Sequence, residues 1–338
     1  IGHGGGMFHG DRDDNEPMSE IHLPDPTSWS GALQVSDLGV IQAQGDEAAA
    51  FLHGQLSQDV NSQTATQARL AAYCSVKGRM LGSLLNLRPQ PDLLWLLAGR
   101  DTVPALVKRL SMFVLRAKAK LTDASDSVPV LGVVGVAAGT ALGAALDTAP
   151  WSVQPVAGGQ LARLPDVLGV PRWLWVGDAA AAQTCLAQLP ALPAEQWQWL
   201  DVMSGIPRVQ QATVDQFVPQ MINYELIGGV NFQKGCYPGQ EVVARSQYRG
   251  TTKRRAFIVH ADQALTPGQE LFSEADPGQP AGVVINAATI PGAAPQGSAL
   301  VELKLAARGT ALRAGSAEGV PVQLGALPYS LPTDDASE

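Results

Sequence analysis

Apolar and polar residues alternate from Leu38 to Gln44 with the period of a half-buried strand, and Asp46 then stands where it would cap a helix through Phe51, Leu52 and Leu56. Two apolar strands, Arg69 to Val76 and Arg79 to Leu87, meet at Lys77-Gly78, which predicts a hairpin. A third strand follows at Leu93 to Leu97, then a helix carried by Leu106, Leu110 and Phe113, then an alternating strand from Val114 to Leu121. The next hundred residues repeat the mixture: strand Val130 to Val136, helix Ala138 to Leu146, strands around Val153 and Leu161, strand Trp173 to Val176, and helix Ala179 to Leu189. Hairpins interspersed with single helices predict an α+β fold of split βαβ units, not a doubly wound parallel sheet.

The chain turns around Pro190 and Pro193, and Ala194 to Ser204 reads as a helix that Gly205 and Pro207 terminate. Beyond Gly250 the texture changes to short β-rich runs (Ala256 to Val259, Ala281 to Ile285, Leu300 to Leu305, Val320 to Leu324) separated by Pro-Gly turns, the pattern of a small antiparallel barrel or sandwich. The expected organisation is a disordered tail over 1–28, an α+β region over 29–250 built of two interleaved modules, a small β-barrel over 251–331, and a short tail over 332–338. The opening Ile-Gly-His-Gly-Gly-Gly reads as a remnant of recombinant expression, with natural translation beginning at Met7 or Met18. His3 and His9 in that tail are not expected to bind metal.

Composition narrows the class. A 338-residue chain with 46% hydrophobic and 16% charged residues is a folded protein of more than one domain. No apolar run reaches the roughly 18 to 20 residues of a membrane helix. Three scattered cysteines, Cys74, Cys185 and Cys236, form no disulfide framework and imply a reducing compartment, the cytoplasm. A net charge of -8 argues against broad nucleic-acid binding. Gly132, Gly135 and Gly139 lack the G-x-G-x-x-G spacing of a dinucleotide site and read as packing glycines.

Candidate chemistry concentrates in Lys234-Gly-Cys-Tyr-Pro-Gly-Gln-Glu241. A free cysteine is ordinarily a buried small hydrophobe, as expected for Cys74 and Cys185. Cys236 instead follows Lys234 on a backbone loosened by Gly235 and Gly239 and turned by Pro238, surroundings that expose a thiol and lower its pKa. A helix from Glu241 to Tyr248 starts beside it and would add its dipole. From Lys234 to Arg255 six cations, including Arg245 and Arg249, face the single carboxylate Glu241, so the stretch is locally +5. Neither a complete iron-sulfur ligand set nor paired zinc ligands accompany Cys236, and no resident metal site is expected. Trp197 and Trp199 lie two positions apart on a helix and so point to different faces: one can fill the core while the other stacks on a flat heterocycle, and burial of both is the bland alternative.

The run Lys234, Cys236, Tyr237, Gly239, Gln240, Glu241, continuing as Val-Val-Ala-Arg-Ser-Gln-Tyr-Arg-Gly250, resembles the signature of the YgfZ family, relatives of the glycine-cleavage aminomethyltransferase. Lys77-Gly78-Arg79, Gly205-Ile206-Pro207, Phe217-Val218-Pro219-Gln220 with Asn223, Gly228-Gly229-Val230, Phe232 and Leu327-Pro328-Tyr329-Ser330-Leu331 agree with it. The resemblance spans nearly everything after Gly31. It implies two ferredoxin-like modules and a carboxy-terminal barrel around a central tetrahydrofolate or one-carbon derivative. It also implies a monomeric accessory protein for iron-sulfur cluster assembly or repair, with effects on tRNA modification, working with assembly or client proteins and sharing a transient cluster.

On that resemblance Cys236 is the reactive or ligating thiol, Lys234 and Arg245 keep it ionised, and Trp197 stacks the pterin. Tyr237, Gln240, Arg245 and Arg249 join the cofactor site, and Glu241 either fixes the loop or contacts the pterin amide. Two alternatives stand beside this reading: a folate-dependent aminomethyl transferase, and a passive folate-binding scaffold. The stretch Arg79-Met80-Leu81-Gly82-Ser83-Leu84 lacks the aspartate that the transferase carries there. Met203 stands where the family often has a pterin-binding glutamate, and Leu38 where some members have a second tryptophan.

Overall fold

Two open sheets and a closed barrel meet on one helix in the computed structural model, which describes residues 21–248 and 252–332. In chain order the elements are β1 (Gly31–Gln34), β2 (Leu38–Gln44), α1 (Ala48–His53), β3 (Arg69–Cys74), β4 (Met80–Gln90), β5 (Leu93–Gly99), α2 (Val103–Val114) and β6 (Lys120–Asp123). There follow β7 (Val130–Val134), α3 (Val136–Ala141), β8 (Val153–Val156), β9 (Gly159–Arg163), β10 (Arg172–Gly177), α4 (Ala179–Gln188), α5 (Ala194–Met203) and α6 (Gln240–Tyr248). The barrel strands are β11 (Arg254–Ala261), β12 (Glu270–Ser273), β13 (Gly282–Thr289), β14 (Gly297–Lys304), β15 (Leu312–Ala314) and β16 (Val320–Leu324).

The first sheet runs β3-β4-β5-β2-β6 and the second β1-β7-β10-β9-β8, with neighbouring strands antiparallel in both. The barrel closes in the order β11-β14-β13-β12-β15-β16. The α+β class and the carboxy-terminal antiparallel barrel are as expected from the pattern. β1, first in sequence, pairs with β7 with Gly31 opposite Val134, so the second sheet takes its edge strand from the start of the chain. No helix among the described residues is long and apolar enough to cross a membrane.

Some local expectations fail for identifiable reasons. Asp46 does not cap α1: the N-cap is Glu47, without a side-chain cap bond, and Leu56 lies beyond the helix end. The strand expected from Val114 to Leu121 begins only at Lys120, because α2 runs on to Val114 and ends at Leu115 with φ 44. Leu115 is exposed there, so its apolar character marks no buried strand face. The disorder expected up to Ser28 does not extend through residues 21–28, since Ile21 packs on the central core beside Trp29.

Packing accounts for the glycine run in β7 and α3. A Cβ on Gly132 would lie 2.5 Å from the Trp197 ring, and one on Gly139 would lie 2.5 Å from Trp173. Gly135 has φ 89 and sits against the Trp29 carbonyl. α5 thereby seats Trp197 directly on the second sheet. Its other indole, Trp199, is fully buried, meets Trp29 edge-on at 5.8 Å, and donates from Nε1 to Ser298 Oγ of β14 at 3.0 Å. A β-bulge between Val284 and Asn286 re-aims β13 so that Asn286 accepts from the Arg208 N–H and donates to the Arg208 carbonyl. Tyr329 closes the same junction by donating to the Gly205 carbonyl at 2.8 Å.

Gly132→Ala is expected to destabilise the protein by about 1–3 kcal/mol, because the new methyl overpacks the Trp197 seat. Urea unfolding followed by tryptophan fluorescence measures it, and an unchanged midpoint would contradict this packing role.

Candidate functional site

A cavity opens where the first sheet, the second sheet and α5 converge, with about 560 Å³ of empty space counting its mouth. Most of its wall is apolar: leucines of β2, β3, β4, β5 and β10, with Ile206 and Pro207 behind α5. Two indoles line it, Trp197 from α5 and Trp151 from the loop before β8. Trp151 holds the left-handed backbone region, φ 70, a strained conformation for a bulky residue and one that collects at functional sites. Leu38 lines the cavity too, so the second indole comes from a different segment than the sequence comparison suggested.

The polar groups of the wall come from three distant segments. Arg172 of β10 is fully buried and lies 5.6 Å over the Trp197 ring. Its NH1 is 3.4 Å from Asp201 Oδ1, while Arg208 NH2 reaches Asp201 Oδ2 at 2.7 Å and Asp37 Oδ2 at 2.9 Å. Burial lowers the Arg172 pKa against the pull of Asp201. Burial acts in the same sense on Arg208, but Asp201, Asp37 and Asp101 together outweigh it and raise its pKa. Three buried donors keep no hydrogen-bond partner: Trp197 Nε1, Arg172 NH2 and Arg208 Nε. Buried donors of this kind are normally satisfied.

Cys236 lies on a separate loop and is exposed, whereas Cys74 and Cys185 are buried, with burial pushing the Cys74 thiol up to about 12. The loop is held by crossed glycines. Gly239, φ 78, packs on Ser75 and Gly78 of the β3–β4 turn, and a Cβ on Gly78 would meet Val242 at 2.7 Å. Lys234 Nζ donates to the carbonyls of His53 and Leu56, the latter at 2.8 Å, and stands 5.1 Å from the Tyr237 ring. Its ammonium thus ties the thiol loop to the end of α1. Desolvation lowers the Lys234 pKa to about 8 against the opposing charges of Asp59 and Cys236. Burial, reinforced by Cys74, raises the Tyr237 phenol.

His53, which the sequence offers beside His22 and His260 as a partner for Cys236 without a telling context, stands next to the thiol loop. Its Nδ1 is 3.0 Å from Asp59 Oδ1, and a Cβ on Gly235 would lie 3.7 Å from its Nε2. Gln240 opens α6, its N–H bonding the Tyr237 carbonyl at 3.2 Å. Glu241 is exposed and pairs with Arg245 at 2.8 Å, one turn on. Arg245 also lines a second cleft of about 810 Å³ with Lys253 and Arg254. Arg249 lies outside the described residues. Of the residues assigned a thiol or cofactor-binding role in the sequence, Trp197 lines the central cavity; Lys234, Cys236, Tyr237, Gln240 and Glu241 form the thiol loop and the start of its helix. Arg172, Asp201, Arg208 and Trp151 carried no local signal. Among the described residues no group of three or more His, Cys, Asp or Glu side chains could hold a metal ion.

The lowered Lys234 pKa has a defined pH signature. Between pH 8 and the ordinary lysine value the unfolded chain keeps a proton that the native chain has released, so stability attributable to Lys234 rises with pH across that window. The stability of the native protein minus that of Lys234→Met is therefore expected to increase from pH 8 to 10 in urea titrations. A flat difference contradicts the burial of this ammonium.

No family model matches the chain. Curated relatives do. The tRNA-modifying protein YgfZ of Edwardsiella ictaluri (strain 93-146) is 34% identical over 257 residues, covering 74% of this chain and 76% of its own. That of Sodalis glossinidius (strain morsitans) is 32% identical over 248 residues, 71% of this chain and 73% of its own. Among solved structures, the glycine cleavage system aminomethyltransferase T from Bartonella henselae superposes with a TM-score of 0.69, covering 88% of this chain and 86% of that one. At 16% identity that likeness is one of fold. The sequence relatives match about three quarters of the chain at a level that identifies kinship, and the chain belongs to the YgfZ family.

Proposed function

We propose that this protein binds a reduced folate in the central cavity and serves iron-sulfur protein assembly or repair on which tRNA modification depends, with Cys236 as its working thiol. The observation that carries the folate half is the wall itself: Trp197 and Trp151 beside Arg172, Asp201 and Arg208 in an otherwise apolar cavity. A pterin is flat, which suits indole contact, and rich in ring nitrogen and carbonyl acceptors, which suits three unpartnered buried donors. Bound there, a reduced folate would supply one-carbon chemistry, and Trp197, fixed by Gly132, would orient its ring. The name carried by the relatives, tRNA-modifying protein, supports the second half.

Cys236 is free, exposed and held beside Lys234, as a thiol that meets another protein would need to be. A shared cluster would take its remaining ligands from that partner. The fold admits an aminomethyl transferase as a second reading. The β4 start opposes it: that segment contributes Ser83, Leu84 and Leu85 to the cavity and no carboxylate, and the Ser83 hydroxyl accepts from the Val209 N–H.

Trp197→Ala is expected to weaken folate binding by about tenfold or more, the scale of a lost aromatic contact of roughly 1–3 kcal/mol, as read by calorimetry. Cys236→Ser should leave that affinity within experimental error while lowering the activity of cluster-dependent enzymes in cells lacking the native protein. Full complementation by Cys236→Ser would instead support a passive folate-binding scaffold.

A further inference from the structure

Most polar groups of the cavity wall are already committed. Tyr224 donates to the Ala71 carbonyl, Ser83 accepts from Val209, and Arg208 bridges Asp37 and Asp201. What remains open is a side-by-side donor and acceptor. Arg172 keeps a buried terminal nitrogen without a partner, and its NH1 stands 3.4 Å from Asp201 Oδ1, a loose contact for a charged pair that ordinarily closes to about 2.7–2.9 Å. Asp201 is the one carboxylate lining the cavity, and a carboxylate offers about four acceptor sites, which two arginine contacts do not exhaust. Met203, by contrast, is buried in the apolar core and does not line the cavity.

We infer that Arg172 and Asp201 together read a lactam edge, O=C–N–H, of the bound heterocycle. The inference rests on the folate reading and names the part of the pterin that the site recognises. The ring carbonyl accepts from Arg172 and the adjacent ring N–H donates to Asp201, so the two halves of the loose pair are each satisfied by the guest. Trp197 Nε1, a third donor in the same wall, adds to the preference for acceptors. A 4-amino pteridine reverses this edge: it turns an amino donor toward the arginine and a bare ring nitrogen toward the carboxylate. Buried groups then face like partners, the circumstance in which polar sites discriminate most strongly.

Folic acid and aminopterin differ only in this 4-oxo to 4-amino exchange, and titration calorimetry of the full chain with each tests the assignment. The native protein is expected to bind folic acid at least about thirtyfold more tightly than aminopterin. Asp201→Asn, whose amide offers donors in place of one acceptor oxygen, is expected to compress that ratio to about threefold or less. Arg172→Met is a second variant, and thermal melts establish that each variant is folded. Equal or tighter binding of aminopterin by the native protein overturns the inference without needing any variant. A preference that survives unchanged in a folded Asp201→Asn protein overturns it as well, while leaving folate binding intact. If the native protein binds neither folic acid, aminopterin nor 5-formyltetrahydrofolate, the folate reading fails and this inference falls with it.

Discussion

The architecture hangs on one helix whose two indoles face in different directions. Residues two apart on a helix are separated by roughly 200°, so α5 cannot bury both Trp197 and Trp199 against one neighbour. It therefore stands at the junction: Trp197 presses on the glycine-flattened face of β7, and Trp199 reaches Ser298 of the barrel. Both rings are buried, and burying an aromatic side chain contributes a few kcal/mol through apolar area alone. The barrel answers with Asn286 and the carboxy-terminal segment with Tyr329, each binding the backbone just beyond α5. The turn after the helix is fixed from two sides, and the cavity wall formed by Asp201, Ile206, Pro207 and Arg208 is fixed with it.

That rigidity explains how charged residues are tolerated at the centre. Arg172 is fully buried and Arg208 nearly so, a costly arrangement unless opposite charges are held in place. Asp201 sits on the last turn of α5, between both guanidinium groups, and Asp37 arrives from the turn after β1. The four charges balance formally, yet their donors are not all used. The network is thus formally neutral as a whole, while the cavity lining itself holds two guanidinium groups and one carboxylate. The thiol loop follows a different logic. It is anchored by close glycine contacts and by one half-buried lysine, while Cys236 itself faces out. The central cavity and the thiol loop occupy separate surfaces of the protein.

The sequence by itself determined the element types of most of the chain, the antiparallel barrel, the exposure of Cys236 and the placing of Trp197 and Trp199 on different faces of one helix, though both rings turn out to be buried. Each follows from local periodicity, turn residues or neighbours within a few positions. It misjudged the end of α2, where Val114 and the exposed Leu115 imitate the start of a strand, and the start of α1, where Asp46 leaves its capping role unfilled. Tertiary structure alone decided the rest. Arg172, Asp201, Arg208 and Trp151 are separated by as many as 57 positions and acquire meaning only when α5, β10 and the loop before β8 converge on one cavity. His53 likewise gains its place beside the Cys236 loop only because Lys234 bonds the carbonyls at the end of α1. Periodicity reports which face of an element is buried. Which other element covers that face, and therefore which polar groups share a cavity, is settled by packing across the whole chain.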